Sequence, residues 1–151
     1  MIDETSMEIL KILQDKARIP NVEVSRQVGL APSAVLERIR KMEKTGIIDG
    51  YEVRLNPERF SRSQISYIHI TTRLHSSEKG SIGDQLASIP EIQEVHFIAG
   101  EDGYLVKART ANTEELGDLL RNQISTIEGV IATRTTTVLH TYKETSRIPI
   151  R

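Results

Sequence analysis

Between Asn21 and Lys44 the apolar positions fall at helical spacing and are interrupted once. Val24, Val28 and Leu30 make a short first set. Val35, Ile39 and Met42 make a second, at i, i+4 and i+7, which predicts one buried stripe on a helix over Pro32–Lys44. Gly29 lies at the break, where a sharp turn between helices needs a positive φ. Pro32 suits the first turn of the next helix, whose N–H groups lack intrahelical partners anyway. Arg38, Arg40, Lys41 and Lys44 are left to face outward. A helix with a buried back and a basic front has the form needed to enter a DNA major groove. Upstream, Met7, Ile9, Leu10, Ile12 and Leu13 predict another helix ending near Ala17, with Thr5 and Glu8 at capping-box spacing. Pro20 breaks the chain, and Asn21 is the expected N-cap of the middle helix.

After Gly46 the period changes. Residues 47–55 begin to alternate, predicting a short extended arm, and Asn56-Pro57 marks a turn. Ile65–Leu74 alternates, with Ile68, Ile70, Thr72 and Leu74 on one face and Ile65, Tyr67, His69 and Thr71 on the other. Ser76–Ser88 reads as a helix anchored by Ile82 and Leu86. Ile92–Ala99 and Tyr104–Arg109 read as strands joined by a hairpin loop, Gly100–Gly103. Asn112 and Glu115 are a second capping pair, opening an amphipathic helix through Leu116, Leu119, Leu120, Ile124 and Ile127. Val130–Tyr142 is a long threonine- and valine-rich strand, and residues 143–151 follow as an ordered arm or a frayed end without chemistry. The expected fold is α+β: an N-terminal helix-turn-helix domain over residues 1–50, an extended linker over 51–62, and a ferredoxin-like βαββαβ domain over 63–151. Two helices cover one face of such a sheet. The other face, half apolar, would meet water in a lone chain, so the pattern also predicts a homodimer through the sheet, which pairs two helices for a pseudo-palindromic site.

Charge sharpens this picture. The 151 residues carry a net charge of −1, and residues 1–50 hold as many acids as bases. From Arg26 to Lys44, however, five bases meet only two acids. Affinity for double-stranded DNA must therefore come from a local patch and from multivalency, not from overall attraction to polyanions. There is no cysteine, which excludes disulfides, thiol nucleophiles and cysteine-ligated metals. No apolar run approaches a membrane span, and the acidic start MIDETSMEIL lacks the form of a signal peptide, so the expected location is the cytoplasm. His69, His75, His96 and His140 show no metal-ligand spacing, and no serine elbow, phosphate loop or dinucleotide glycine motif is present. No enzyme activity, cofactor or metal is expected.

The two halves, in this order, resemble the leucine-responsive and asparagine-synthesis regulators, the Lrp/AsnC or feast/famine family. The resemblance rests on Asp3, Ile9, Leu13, Gln14, Arg18, Asn21, Gly29-Leu30, Val35, Arg38-Ile39, Glu43, Gly46-Ile47-Ile48 and Gly50-Tyr51 in the first half. In the second it rests on Pro90-Glu91, Gly100, Tyr104-Leu105, Gly129-Val130 and Thr133-Arg134-Thr135. It implies a winged-type N-terminal helix-turn-helix domain and a metabolite-responsive transcription regulator whose dimers often build tetramers or octamers. DNA contacts are then expected from Arg26, Ser33, Ala34, Glu37, Arg38, Arg40 and Lys41. An amino-acid effector is expected near Gly100, Glu101, Asp102, Gly103 and Tyr104, with Thr133 and Thr135. The chain departs from the family pattern at Gly103, where many relatives carry an aspartate before the tyrosine, and this puts the contact to an amino-acid amine in question. Ala31 replaces a common serine cap, and Glu37 stands where many relatives are basic. Two alternatives stay open: a tetrapyrrole-processing enzyme or stand-alone sensor that has lost DNA binding, and a regulator without an effector.

Overall fold

The computed structural model describes residues 1–73, 76–100 and 103–151. Leu74 and His75, within or beside the first predicted strand, lie outside these, as do Glu101 and Asp102 of the predicted effector loop. The chain forms two compact units, one of residues 1–54 with 144–151, the other of residues 55–143. The last eight residues thus pack with the helical unit, although the sequence pattern attaches them to the sheet domain. The reason is local: the Ile148 peptide and the Arg147 side chain bond to Gln14 and Asp15.

The helical unit holds α1 (Glu4–Asp15), α2 (Asn21–Val28) and α3 (Pro32–Lys44). Its core joins Ile9 and Leu13 of α1, Val24 of α2 and Val35, Ile39 and Met42 of α3 with Ile19. Each of the fully buried aliphatic side chains contributes about 1.5–3 kcal/mol relative to exposure. The caps differ from the sequence expectation. Asp3, not Thr5, caps α1, its Oδ1 accepting from the Ser6 N–H at 2.8 Å. Asn21 is the first helical residue of α2 and makes no cap bond; Pro20 precedes it in extended conformation. Gly29 closes α2 at φ +71°, the left-handed geometry expected there. Residues 45–56 carry no strand, and Tyr51, Val53 and Leu55 are exposed along them. The Ile47 and Ile48 N–H groups both bond to the Met42 carbonyl at the end of α3.

The sheet unit holds β1 (Gln64–Thr72), a two-residue hairpin β2 (Ser76–Ser77) and β3 (Gly80–Ser81), α4 (Ile82–Ala87), β4 (Ile92–Ile98), β5 (Gly103–Thr110), α5 (Thr113–Asp118) and β6 (Val130–Thr137). The main sheet runs β4-β5-β1-β6, all antiparallel, the order of a ferredoxin-like split βαβ unit. A helix over 76–88 does not form from its start: Gly80 takes φ +97°, and Ser81 caps α4 by accepting from the Asp84 N–H at 2.9 Å. Ile82 and Leu86 are fully buried. Asn112 caps α5, accepting from the Glu115 N–H at 2.9 Å, while the Glu115 carboxylate accepts from the Ala111 N–H at 2.7 Å. Past Asp118 the helix widens to a π turn, Leu119–Ile124. Leu119 and Ile124, five residues apart, are both buried, a spacing that a π turn aligns. The final strand ends at Thr137, five residues short of the predicted end, and Leu139 and Tyr142 beyond it are exposed.

Candidate nucleic-acid interface and effector loop

Successive helical residues are turned by about 100°. On α3 this sends Val35, Ile39 and Met42 inward and Ser33, Glu37, Arg40, Lys41 and Lys44 outward, where all five are exposed. Ala34 is half-buried beside them. Ala31, at the N-cap, offers no side-chain bond to the first turn of α3. Arg26 projects from α2 and is exposed; it pairs with Glu23 one turn earlier, and that hydrogen bond holds the Glu23 carboxyl below its usual range.

Arg38 lies between the two faces and is committed elsewhere. Its Nη1 donates to Asp3 Oδ2 at 2.7 Å, Asp3 Oδ1 at 2.9 Å and Ser6 Oγ at 3.0 Å. The Asp3 carboxyl is pulled down to about 2, first by the Ser6 backbone N–H and then by the Arg38 hydrogen bond. One acidic side chain therefore caps α1 and ties α3 to it. The other end of α3 has its own tie: the Tyr51 hydroxyl donates to Glu43 Oε1 at 2.8 Å. Partial burial, and then that carboxylate, push the Tyr51 hydroxyl up to about 12. Helical periodicity could not announce either pair, since it assigns a face and not a partner.

In the sheet unit, register sorts the expected effector residues. Ile70 of β1 lies opposite Tyr104 of β5 and Thr133 of β6, and Ile68 lies opposite Thr135. Tyr104, Thr133 and Thr135 thus share the face covered by α4 and α5. Tyr104 and Thr133 stand two strands apart, about 10 Å, with fully buried Ile70 between them. The Tyr104 ring packs on Phe97, centroids 5.3 Å apart. Gly103 fits where nothing larger would: a Cβ there would lie 1.7 Å from the Ile70 carbonyl oxygen. Gly100, two residues past the end of β4, takes φ +93°. On the opposite, helix-free face, a concavity of about 540 Å³ is lined by Tyr67, His69, Ile98, Ala99, Gly100, Leu105, Arg134 and Thr136. Of the effector residues named from sequence that are among the described residues, Gly100 alone lines it. The others on this face belong to the alternate phase of β1, β4, β5 and β6, a signal present in the period-2 pattern. Glu94 bridges His96 at 3.1 Å and Lys107 at 3.6 Å nearby, and its carboxyl is lowered first by His96. Among the described residues no group of His, Asp or Glu side chains could hold a metal ion, and no helix is long and apolar enough to cross a membrane.

Residues 2–49 match the winged helix-turn-helix DNA-binding family, and residues 65–148, more than half of the chain, match the Lrp/AsnC ligand binding domain. The chain belongs to the Lrp/AsnC family. This Lrp/AsnC protein is 37% identical over 150 residues to the HTH-type transcriptional regulator FL11 of Pyrococcus horikoshii, covering 99% of this chain and 97% of that one. It is 34% identical over 151 residues to the leucine-responsive regulatory protein of Escherichia coli, covering 99% and 92%. Among solved structures, the transcriptional regulator NMB0573 of Neisseria meningitidis, crystallised with L-methionine, superposes with a TM-score of 0.92 at 27% identity, covering 99% of this chain and 97% of that one. The Lrp/AsnC protein is a DNA-binding transcriptional regulator by family, and the relatives just described are named as regulators and not as enzymes.

Proposed function

We propose that this regulator reads double-stranded DNA with the outward face of α3 and answers to an amino acid or a close chemical relative. The observation carrying the first part is the division of α3 into a buried stripe and an opposed face of Ser33, Glu37, Arg40, Lys41 and Lys44. Arg40 and Lys41, with Arg26 from α2, serve as phosphate contacts that set register. Ser33, Ala34 and Glu37 serve at base edges, Glu37 as an acceptor for a cytosine amino group. Arg38, held by Asp3, fixes the angle of α3 and reaches DNA only when that pair opens. Such a protein acts where the DNA is, in the cytoplasm. The test is a salt titration of binding to the DNA upstream of the protein's own coding region. Binding that falls steeply with salt supports the reading; no binding in dilute buffer overturns it.

The effector reading is supported by the L-methionine bound to the Neisseria relative. The residues assigned to it are those of the loop Gly100, Glu101, Asp102 and Gly103, with backbone groups replacing the side chain that Gly103 lacks. Tyr104, Thr133 and Thr135, on the helix-covered face with Ile70 between Tyr104 and Thr133, stand apart from the concavity beside Gly100. In a thermal-shift screen of the twenty amino acids, a true effector at a hundred times its dissociation constant stabilises by about 2.7 kcal/mol. A flat screen overturns the amino-acid class. The helix-free sheet face is covered by a second copy, giving a homodimer with two α3 helices that builds on to a tetramer or octamer.

A further inference from the structure

Residues 144–151 have no regular secondary structure, yet two sets of bonds hold them to α1 within the helical unit. The Ile148 N–H donates to Gln14 Oε1 at 2.7 Å, and Gln14 Nε2 donates back to the Ile148 carbonyl at 2.9 Å. One primary amide thus satisfies both polar groups of one residue's backbone, a mode that selects extended chain whatever its side chain. Next to it, Arg147 Nη1 meets Asp15 Oδ1 at 3.1 Å, and Nη2 reaches the Asp15 carbonyl at 3.4 Å. The last turn of α1 contains no basic residue and its C-cap is Lys16; Arg147 adds a second cation at this carbonyl end, the negative pole of the helix. Thr145 Oγ1 accepts from the Arg147 N–H at 3.1 Å and shapes the approach. Ile150 is the one residue of the segment that is not exposed.

We infer that the Gln14–Asp15 end of α1 is a docking surface for an extended, arginine-bearing peptide, and that residues 144–151 of the same chain are its occupant. Docking gives the helical unit a second, non-covalent tie to the chain that leaves the sheet unit. The covalent tie runs through residues 51–55; the docked one returns from β6 through residues 138–143. A head tied twice surrenders less orientational freedom when two heads engage one duplex. This consequence rests on the DNA-binding reading above; the docking itself does not.

Amide exchange in the full-length protein tests the docking without DNA. The Ile148 N–H is expected to exchange about tenfold or more slowly than in a free peptide. Gln14→Ala, Asp15→Arg and Arg147→Asp should each return it to the free rate while core amides of α1–α3 stay protected. The double variant Asp15→Arg/Arg147→Asp should restore protection. A free-peptide rate in the unaltered protein overturns the proposal, as do single substitutions without effect. Protection regained on mixing the two single charge variants also overturns it, because the occupant would then be a second copy. For the tether, Gln14→Ala should weaken binding to a two-half-site duplex severalfold and leave a single half-site unchanged; an equal loss on both overturns it. A protein that protects Ile148 but ignores duplexes supports the docking and overturns the functional reading.

Discussion

A guanidinium on a helix proposed to face DNA is not thereby a DNA contact. Arg38 spends Nη1 on Asp3 and Ser6, whereas Arg40 and Lys41 stand exposed on the outward face. Substitution should separate these roles. Arg40→Ala and Lys41→Ala should each reduce the slope of log affinity against log salt by about 0.9, the signature of one lost phosphate contact. Arg38→Ala should leave that slope nearly unchanged and instead lower the thermal midpoint of the helical unit. The Asp3 carboxyl drops from 3.8 to about 2 on folding, so its contribution is complete above the unfolded value and disappears as pH falls from about 4 through about 2. Asp3→Asn should therefore destabilise at neutral pH and match the unaltered protein near pH 2, as read by thermal unfolding at a series of pH values. The basic face itself was legible in the sequence, because it needs only the i, i+4 spacing of α3. The Asp3–Arg38 pair was not, since it joins residues 35 apart and depends on how α1 crosses α3.

Elements were legible where one period runs unbroken, and less so where a turn residue intervenes. α3 occupies the span its pattern predicts, from Pro32 to Lys44. The segment after residue 76 does not, because Gly80 diverts it into a two-residue hairpin before α4 begins. Gly103 and Gly100 look alike in sequence and differ in the structure. A Cβ at Gly103 meets the β1 backbone, so Gly103→Ala must push β5 from β1 and should cost about 1–3 kcal/mol, as overpacking does. At Gly100 nothing lies within 4 Å, so alanine there incurs only the positive-φ cost of about 1–2 kcal/mol. Denaturant midpoints with an unchanged slope would measure both. Strand-pair amide exchange at the Thr71–Gly103 end should rise only for Gly103→Ala. The same crowding accounts for glycine at position 103: β1 occupies the space a side chain would take.

For the whole molecule, the change from helical to strand period announced two units, and the alternation within β1 announced a helix-free face. Tyr67, Ile98 and Leu105 on that face are expected to meet a second copy. Tyr67→Glu should yield a lone subunit by sedimentation, with unaltered far-ultraviolet circular dichroism and weaker binding to two-half-site DNA; an unchanged assembly mass would remove the sheet from the interface. The attachment of residues 144–151 was not legible, because an irregular segment has no period and its partners Gln14 and Asp15 read as an ordinary helix surface. It has a practical outcome for limited proteolysis. Val53 and Leu55 stand exposed on an irregular stretch, the kind of site a protease cuts first. A nick there would ordinarily release a three-helix fragment. Here the larger fragment still holds that bundle by its far end, so the two pieces should co-elute in native chromatography and part only in denaturant.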